Sequence, residues 1–260
     1  MPHPTVETLD WSFLDAAYCI SLKTRPDRFA LASAEFHKVG LCQRVIFYRP
    51  DKHPTRGIIG SWEAHRTVGL HALERGFQRT LICEDDVLFT RTIKPAILRS
   101  IRQALNNLPT DWMIFFLGHW PLSAYFIRYN VLRTSSACSH AYIASPRLLQ
   151  WLRDHPWNSP DVKLSRIAGK GVDSAYAKLP NTYALFPMLA IQRVSRSDNM
   201  GYRSKKKSKK RKLKHLVTHS AYRDLLLSKL MRPFEIIVAM LSPVFFLLEC
   251  IGRRRREEQS

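Results

Sequence analysis

The chain has 260 residues, with 41 Lys and Arg against 21 Asp and Glu, and a formal net charge of +20. A hydrophobic fraction of 45% excludes wholesale disorder, and 10 glycines with 15 prolines exclude collagen-like and linker-like chains. The length suits one or two domains with a buried core. The charge is uneven: residues 201–260 carry 16 Lys and Arg against 5 Asp and Glu, the asymmetry of a basic tail that meets an anionic partner. Cys19, Cys42, Cys83, Cys138 and Cys250 form no C-x-x-C pair, so neither a disulfide framework nor a zinc knuckle is expected. The first ten residues lack a basic segment followed by a long apolar run, so the expected compartment is reducing and cytosolic.

In chain order, the apolar run Ala17–Leu22 predicts a buried strand, which breaks at Lys23–Arg28. Phe29–Val39 has helical spacing and Gly40 closes it. Arg44–Tyr48 reads as a second strand and Ser61–Glu74 as a second helix ending at Gly76. Thr80–Cys83 is a third strand that runs straight into Glu84-Asp85-Asp86. Ile93–Leu108 repeats apolar residues as an amphipathic helix, and Asp111–Leu117 predicts a fourth strand ended by Gly118. Ala141–Ala144 predicts a short strand leading into helix Pro146–Arg153. Strands alternating with helices indicate an α/β fold, a mostly parallel sheet covered on both faces. A domain boundary is expected near residue 203, giving a folded domain over 1–203 and a basic, apolar tail over 204–260.

Three consecutive carboxylates at a strand's end repel one another: two like charges about 4 Å apart cost roughly 1 kcal/mol in water and about 4 near a protein surface. Ligands of open α/β sheets bind in the crevice at those strand ends. Strand alternation would put Glu84 and Asp86 on one side, able to share Mg²⁺ or Mn²⁺, with Asp85 on the other. The plainer alternative is an acidic turn that only solubilises the strand end. No phosphate-binding G-x-x-x-x-G-K-[ST] loop, H-E-x-x-H or G-x-G-x-x-G motif occurs.

The surrounding residues resemble glycosyltransferase family 25, which includes bacterial lipooligosaccharide sugar transferases and the collagen galactosyltransferases. Ile20–Arg28 is similar to the family's "I-N-L-x-R-x-x-R" opening, and Gly57–His65 to its "G-x-x-G-C-x-x-S-H" segment. Leu81–Val87 is similar to "L-I-L-E-D-D-V". Weaker echoes lie at Ser139–Ser145, at Val172-Asp173, and from Gln192 to Ser197-Asp198. Ser21 departs from the family's Asn, Ser61 from its Cys and Ala64 from its Ser.

The resemblance implies a GT-A fold and an inverting, metal-assisted transfer of a hexose, such as galactose, from a UDP-sugar to a glycan, with a lipid-linked oligosaccharide or lipopolysaccharide the favoured acceptor. It implies Asp86 and then Glu84 as ligands of Mn²⁺ or Mg²⁺. Ser21, Leu22, Arg25, Arg28 and Asp85 would meet the nucleotide, guanidinium groups being suited to phosphate. Asp173, Asp198 and His140 are candidates for the base, with Asp173 preferred. His65 reads as a packed histidine bonded to backbone, and Trp62, Trp112 and Trp120 read as core.

In the tail, the uncharged run Ile236–Leu248 would make a helix about 20 Å long, short of a hydrocarbon core of roughly 30 Å. Flanked by Lys205–Lys212 and Arg253–Arg256, it suits a segment lying on the cytoplasmic face of an anionic membrane better than a nucleic-acid patch. The rival reading is a non-catalytic binder of nucleic acid or anionic surfaces on a degenerate transferase domain.

Overall fold

A computed structural model describes residues 9–90, 92–128, 130–158 and 171–193, together with Pro233. The expected boundary at 203, the tail and Asp198 lie outside the described residues.

Each strand of the first half feeds a helix, as the hydrophobic spacing predicts. Strand β1 (Ala16–Ile20) leads into α1 (Pro26–Lys38), whose Pro26 sits in the first turn, where a missing N–H does no harm. Strand β2 (Val45–Tyr48) leads into α2 (Gly57–Glu74), and β3 (Thr80–Glu84) into a short β4 (Val87–Phe89) and then α3 (Pro95–Asn106). A long hairpin of β5 (Ile114–Arg128) and β6 (Val131–Ala144) follows, then α4 (Pro146–Asp154), α5 (Gly171–Tyr176), β7 (Thr182–Leu185) and β8 (Ala190–Gln192).

The fold is mixed α/β. Its six-stranded sheet has the order β2-β1-β3-β6-β5-β7, and only β6 runs against the other strands. One face carries α1 and α3 over Cys19, Cys83, Phe115 and Ile143. The other carries α2, α4 and α5 over Tyr18, Ile82, Phe116 and Tyr142. Strands β4 and β8 pair antiparallel as a separate two-stranded sheet. Among the described residues no helix is long and apolar enough to cross a membrane.

Three departures from the sequence-based expectation matter. Strand β5 does not stop at Gly118 but continues to Arg128, with register shifts after Phe116, Gly118, Pro121 and Phe126. Gly118 is there because of close packing: a Cβ would lie 2.3 Å from Ala190 O and 2.3 Å from His140 Nε2. Second, β3 ends at Glu84 and Asp85-Asp86 form a turn, so strand alternation does not govern where those two side chains point. Third, Trp62 and Trp112 are core, but Trp120 is 48% exposed.

Candidate active site

The carboxyl ends of β1 and β3, in register at Ile20 and Glu84, bring Ser21 beside the acidic run. Two groups of side chains meet there.

The first gathers Arg28, Asp85, Asp86 and Gln192. The first turn of α1 presents Arg28, whose Nη1 donates to Asp85 Oδ1 at 2.9 Å and lies 3.9 Å from Asp86 Oδ2. Pairing of β8 with β4 sets Gln192 opposite Val87, and its amide donates to Asp86 Oδ2 at 3.1 Å. Both aspartates are buried. Burial raises the Asp85 carboxyl even with Arg28 beside it. Burial, and then the charge on Glu84, pushes Asp86 up to about 8. Asp86 Oδ1 is buried with no hydrogen-bond partner. Ser21 Oγ is also buried without a full hydrogen bond, its weak contact being with Asp85.

The second group lies on the α2–α5 side. Ser139 Oγ stands between two carboxylates, 2.8 Å from Glu84 Oε1 and 3.0 Å from Asp173 Oδ1, and its single proton serves one or the other. His65 Nε2 lies 3.4 Å from the same Glu84 oxygen, while its Nδ1 is 2.8 Å from the Tyr142 hydroxyl, itself 3.0 Å from that of Tyr176. With Glu84 ionised, His65 donates from Nε2 and accepts from Tyr142 at Nδ1, and Tyr176 donates to Tyr142. Burial works against the Glu84 charge, but His65 and Ser139 outweigh it and hold the carboxyl down at about 2. Asp173 is raised, by burial and then by Glu84.

The sequence-based candidates are thus sorted by the fold. Ser21, Arg28, Asp85 and Asp86 come together, and Glu84 comes together with Asp173. Glu84 and Asp86 do not face one partner as a chelating pair: Glu84 turns to His65 and Ser139, Asp86 to Gln192 and Arg28. Arg25 pairs instead with Asp27, through Nε at 2.9 Å and Nη2 at 2.7 Å. Leu22 is half-buried beyond β1, its carbonyl accepting from the Arg25 N–H. His140 is buried beneath Gly118, Nε2 donating to Ala190 O at 3.4 Å and Nδ1 without a partner, and burial lowers its pKa. His65 is packed, as expected, but its partners are side chains rather than backbone. Ser139 and Tyr142 fall in the weak echo at Ser139–Ser145, but that segment assigns neither a role, and Tyr176 lies in no motif.

Among the described residues no three or more His, Cys, Asp or Glu are arranged to hold a metal ion. The orphaned Oδ1 of Asp86 does fit a hard cation, if one carboxylate supplies the protein's share and phosphate oxygens complete the shell, the usual habit of Mg²⁺.

No family model matches the chain, and no curated protein matches it. Similar solved structures include A197 from STIV, at 14% identity and a TM-score of 0.41 over 69% of this chain and 86% of that one. A UDP-glucose pyrophosphorylase complexed with UDP-glucose is 10% identical, with a TM-score of 0.40 over 65% of this chain and 72% of that one. A glycosyltransferase involved in glycosylation of the major capsid of PBCV-1 is 11% identical, with a TM-score of 0.35 over 66% of this chain and 93% of that one.

Proposed function

We propose that the chain is a glycosyltransferase that moves a hexose from a UDP-sugar to a glycan acceptor with inversion. The observation that carries the reading is the division of the polar side chains at these strand ends into two stations. One sets Arg28, paired with Asp85, beside Asp86, whose Oδ1 is unused. The other, at Asp173, Ser139 and Glu84, holds a raised carboxyl beside an ionised one. The sequence resemblance to glycosyltransferase family 25 runs through both.

At the first station Arg28 would bind the donor's phosphates and Asp86 Oδ1 would hold Mg²⁺ or Mn²⁺. Such an ion supplies charge neutralisation on a departing nucleotide. Ser21 and Leu22, just beyond β1, would line the nucleotide side.

At the second station a base must take the acceptor hydroxyl's proton. Brønsted behaviour favours the group whose pKa lies nearest neutrality. That ranks Asp173, which is raised, above Glu84, which is held at about 2. His140 is set aside on access rather than on pKa, being buried beneath Gly118 with Nε2 bonded to the Ala190 carbonyl. Glu84 then acts as a positioning residue: its charge raises Asp173, and His65 with Tyr142 fixes its orientation.

The reading is tested by release of UDP from a UDP-hexose by the full chain, with Mn²⁺ and a panel of glycans and glycolipids. Acceptor-stimulated release that falls at least a hundredfold in Asp173→Asn, with UDP affinity unchanged, supports it. A folded chain that releases no UDP with any donor would favour the non-catalytic binder.

A further inference from the structure

Segments 21–28 and 49–56, which follow β1 and β2, carry six Lys and Arg: Lys23, Arg25, Arg28, Arg49, Lys52 and Arg56. Three of them have a carboxylate: Lys23 pairs with Asp51, Arg25 with Asp27 and Arg28 with Asp85. Lys52 and Arg56 are exposed. Arg49 differs from both sets, being half-buried with no carboxylate partner among the described residues.

Its side chain is held in place but not satisfied. The guanidinium lies over the Phe29 ring, 4.4 Å from the centroid, and Nη2 donates to the Lys23 carbonyl at 3.3 Å. Nε is buried with no hydrogen-bond partner. A guanidinium has five N–H donors in a rigid fork, so most of them are unused here. Taking a cation partly out of water costs free energy that a paired anion offsets, and no described protein group supplies that anion. Stacking on an aromatic face fixes the plane of the fork in advance.

Arg49 also stands on the side of the sheet where the aspartates gather. Cys19 and Phe47 pair across β1 and β2 and both pack on the α1 side. Two residues further on, alternation turns Ser21 and Arg49 to that same side. The bonds from Ser21 N to Tyr48 O and from Lys23 N to Pro50 O, each 3.0 Å, keep the two segments paired there. Phe29, under the Arg49 fork, is the α1 neighbour of Arg28, which reaches Asp85 beyond the end of β3. Since β1 lies between β2 and β3, the ends of those two strands are about 10 Å apart, at about 4.8 Å per strand. Ser21 sits between them.

We propose that Arg49 is a second arginine of the donor site, gripping the diphosphate from the β2 side while Arg28 meets it from the β3 side. Guanidinium–phosphate bonds are about 2.7–2.9 Å long, so a diphosphate with one such contact at each end fills a gap of this order. The inference rests on the nucleotide-sugar reading proposed above.

The test titrates UDP with Mn²⁺ into the full chain and into Arg49→Met, then measures how well inorganic pyrophosphate displaces the bound UDP. Displacement reads the UDP site alone, whatever else on a basic chain binds phosphate. Arg49→Met should weaken UDP about ten- to a hundredfold and weaken displacement by pyrophosphate by the same factor, with the melting temperature retained. The salt dependence of UDP affinity should become shallower, and Arg49→Lys, which keeps the charge without the fork, should recover part of the loss. Unchanged UDP affinity in Arg49→Met would overturn the proposal and leave the donor reading intact. So would a loss of UDP affinity with displacement by pyrophosphate unaffected, which would make Arg49 a contact to the nucleoside. A folded wild-type chain that binds neither UDP nor pyrophosphate would remove the donor reading and this inference with it.

Discussion

Ser139→Ala removes the hydroxyl between Glu84 and Asp173. The two carboxylate oxygens are no more than 5.8 Å apart, the reach of its two bonds. Two unit charges at that distance repel by about 3 kcal/mol at an effective dielectric of 20, which adds to burial in raising Asp173. Ser139 opposes that rise, through both its side chain and its backbone. A hydrogen bond to a charged group is worth about 1.5–3 kcal/mol, and sharing it between two acceptors leaves Asp173 about half. The variant should therefore raise the Asp173 pKa further, the lost share of the hydrogen bond being about 0.8–1.5 kcal/mol. A raised base is less ionised at a given pH, so the acid limb of kcat/KM moves up. Activity falls about tenfold below the limb and recovers on the alkaline side. The assay is UDP release across the pH range at limiting acceptor. A uniform loss at all pH values, or an unmoved limb, would refute the role of Ser139 in tuning Asp173.

Other consequences follow from the same contacts. Gly118→Ala should cost about 1–3 kcal/mol, because its Cβ would meet the Ala190 carbonyl at 2.3 Å; at about 2–4 °C per kcal/mol this reads as a lower melting temperature. Arg28→Met strands Asp85 beside Asp86 and should destabilise the chain by about 3–5 kcal/mol, seen as an earlier urea midpoint. Glu84 is held at about 2, below its ordinary 4.5, so its ionised form stabilises the fold above pH about 4.5 and that contribution is lost as pH falls towards 2. His65→Phe removes a main cause of that depression, so its melting temperature should fall less than the wild type's over the same acid range.

The alternating strands and helices of residues 16–117 were legible because each element has its own period and stop: apolar runs for β1 and β3, 3.6-residue spacing for α1 and α3, and Gly40 and Gly76 closing helices at positive φ. The hairpin was not. Gly118 reads as a breaker, but close packing against Ala190 calls for it there, and a register shift after Pro121 accommodates a proline within the strand. Strand β8 has three residues and no period to detect, yet it delivers Gln192 to Asp86. The acidic run announced the site by its charge alone. Its division did not show, because Asp85 and Asp86 form a turn and the partners that separate them from Glu84 come from α1, α2, β6 and β8.

The central claim is that the carboxyl ends of β1 and β3 bind a nucleotide diphosphate together with a divalent cation held by Asp86. Calorimetric titration of UDP into the full chain, with Mn²⁺ and with chelator, tests it most directly. The account predicts binding that requires the metal and is lost in Asp86→Asn while the circular dichroism spectrum and melting behaviour remain those of a folded protein. A folded chain that binds no UDP in either condition, or binds it equally with chelator and in Asp86→Asn, would contradict it.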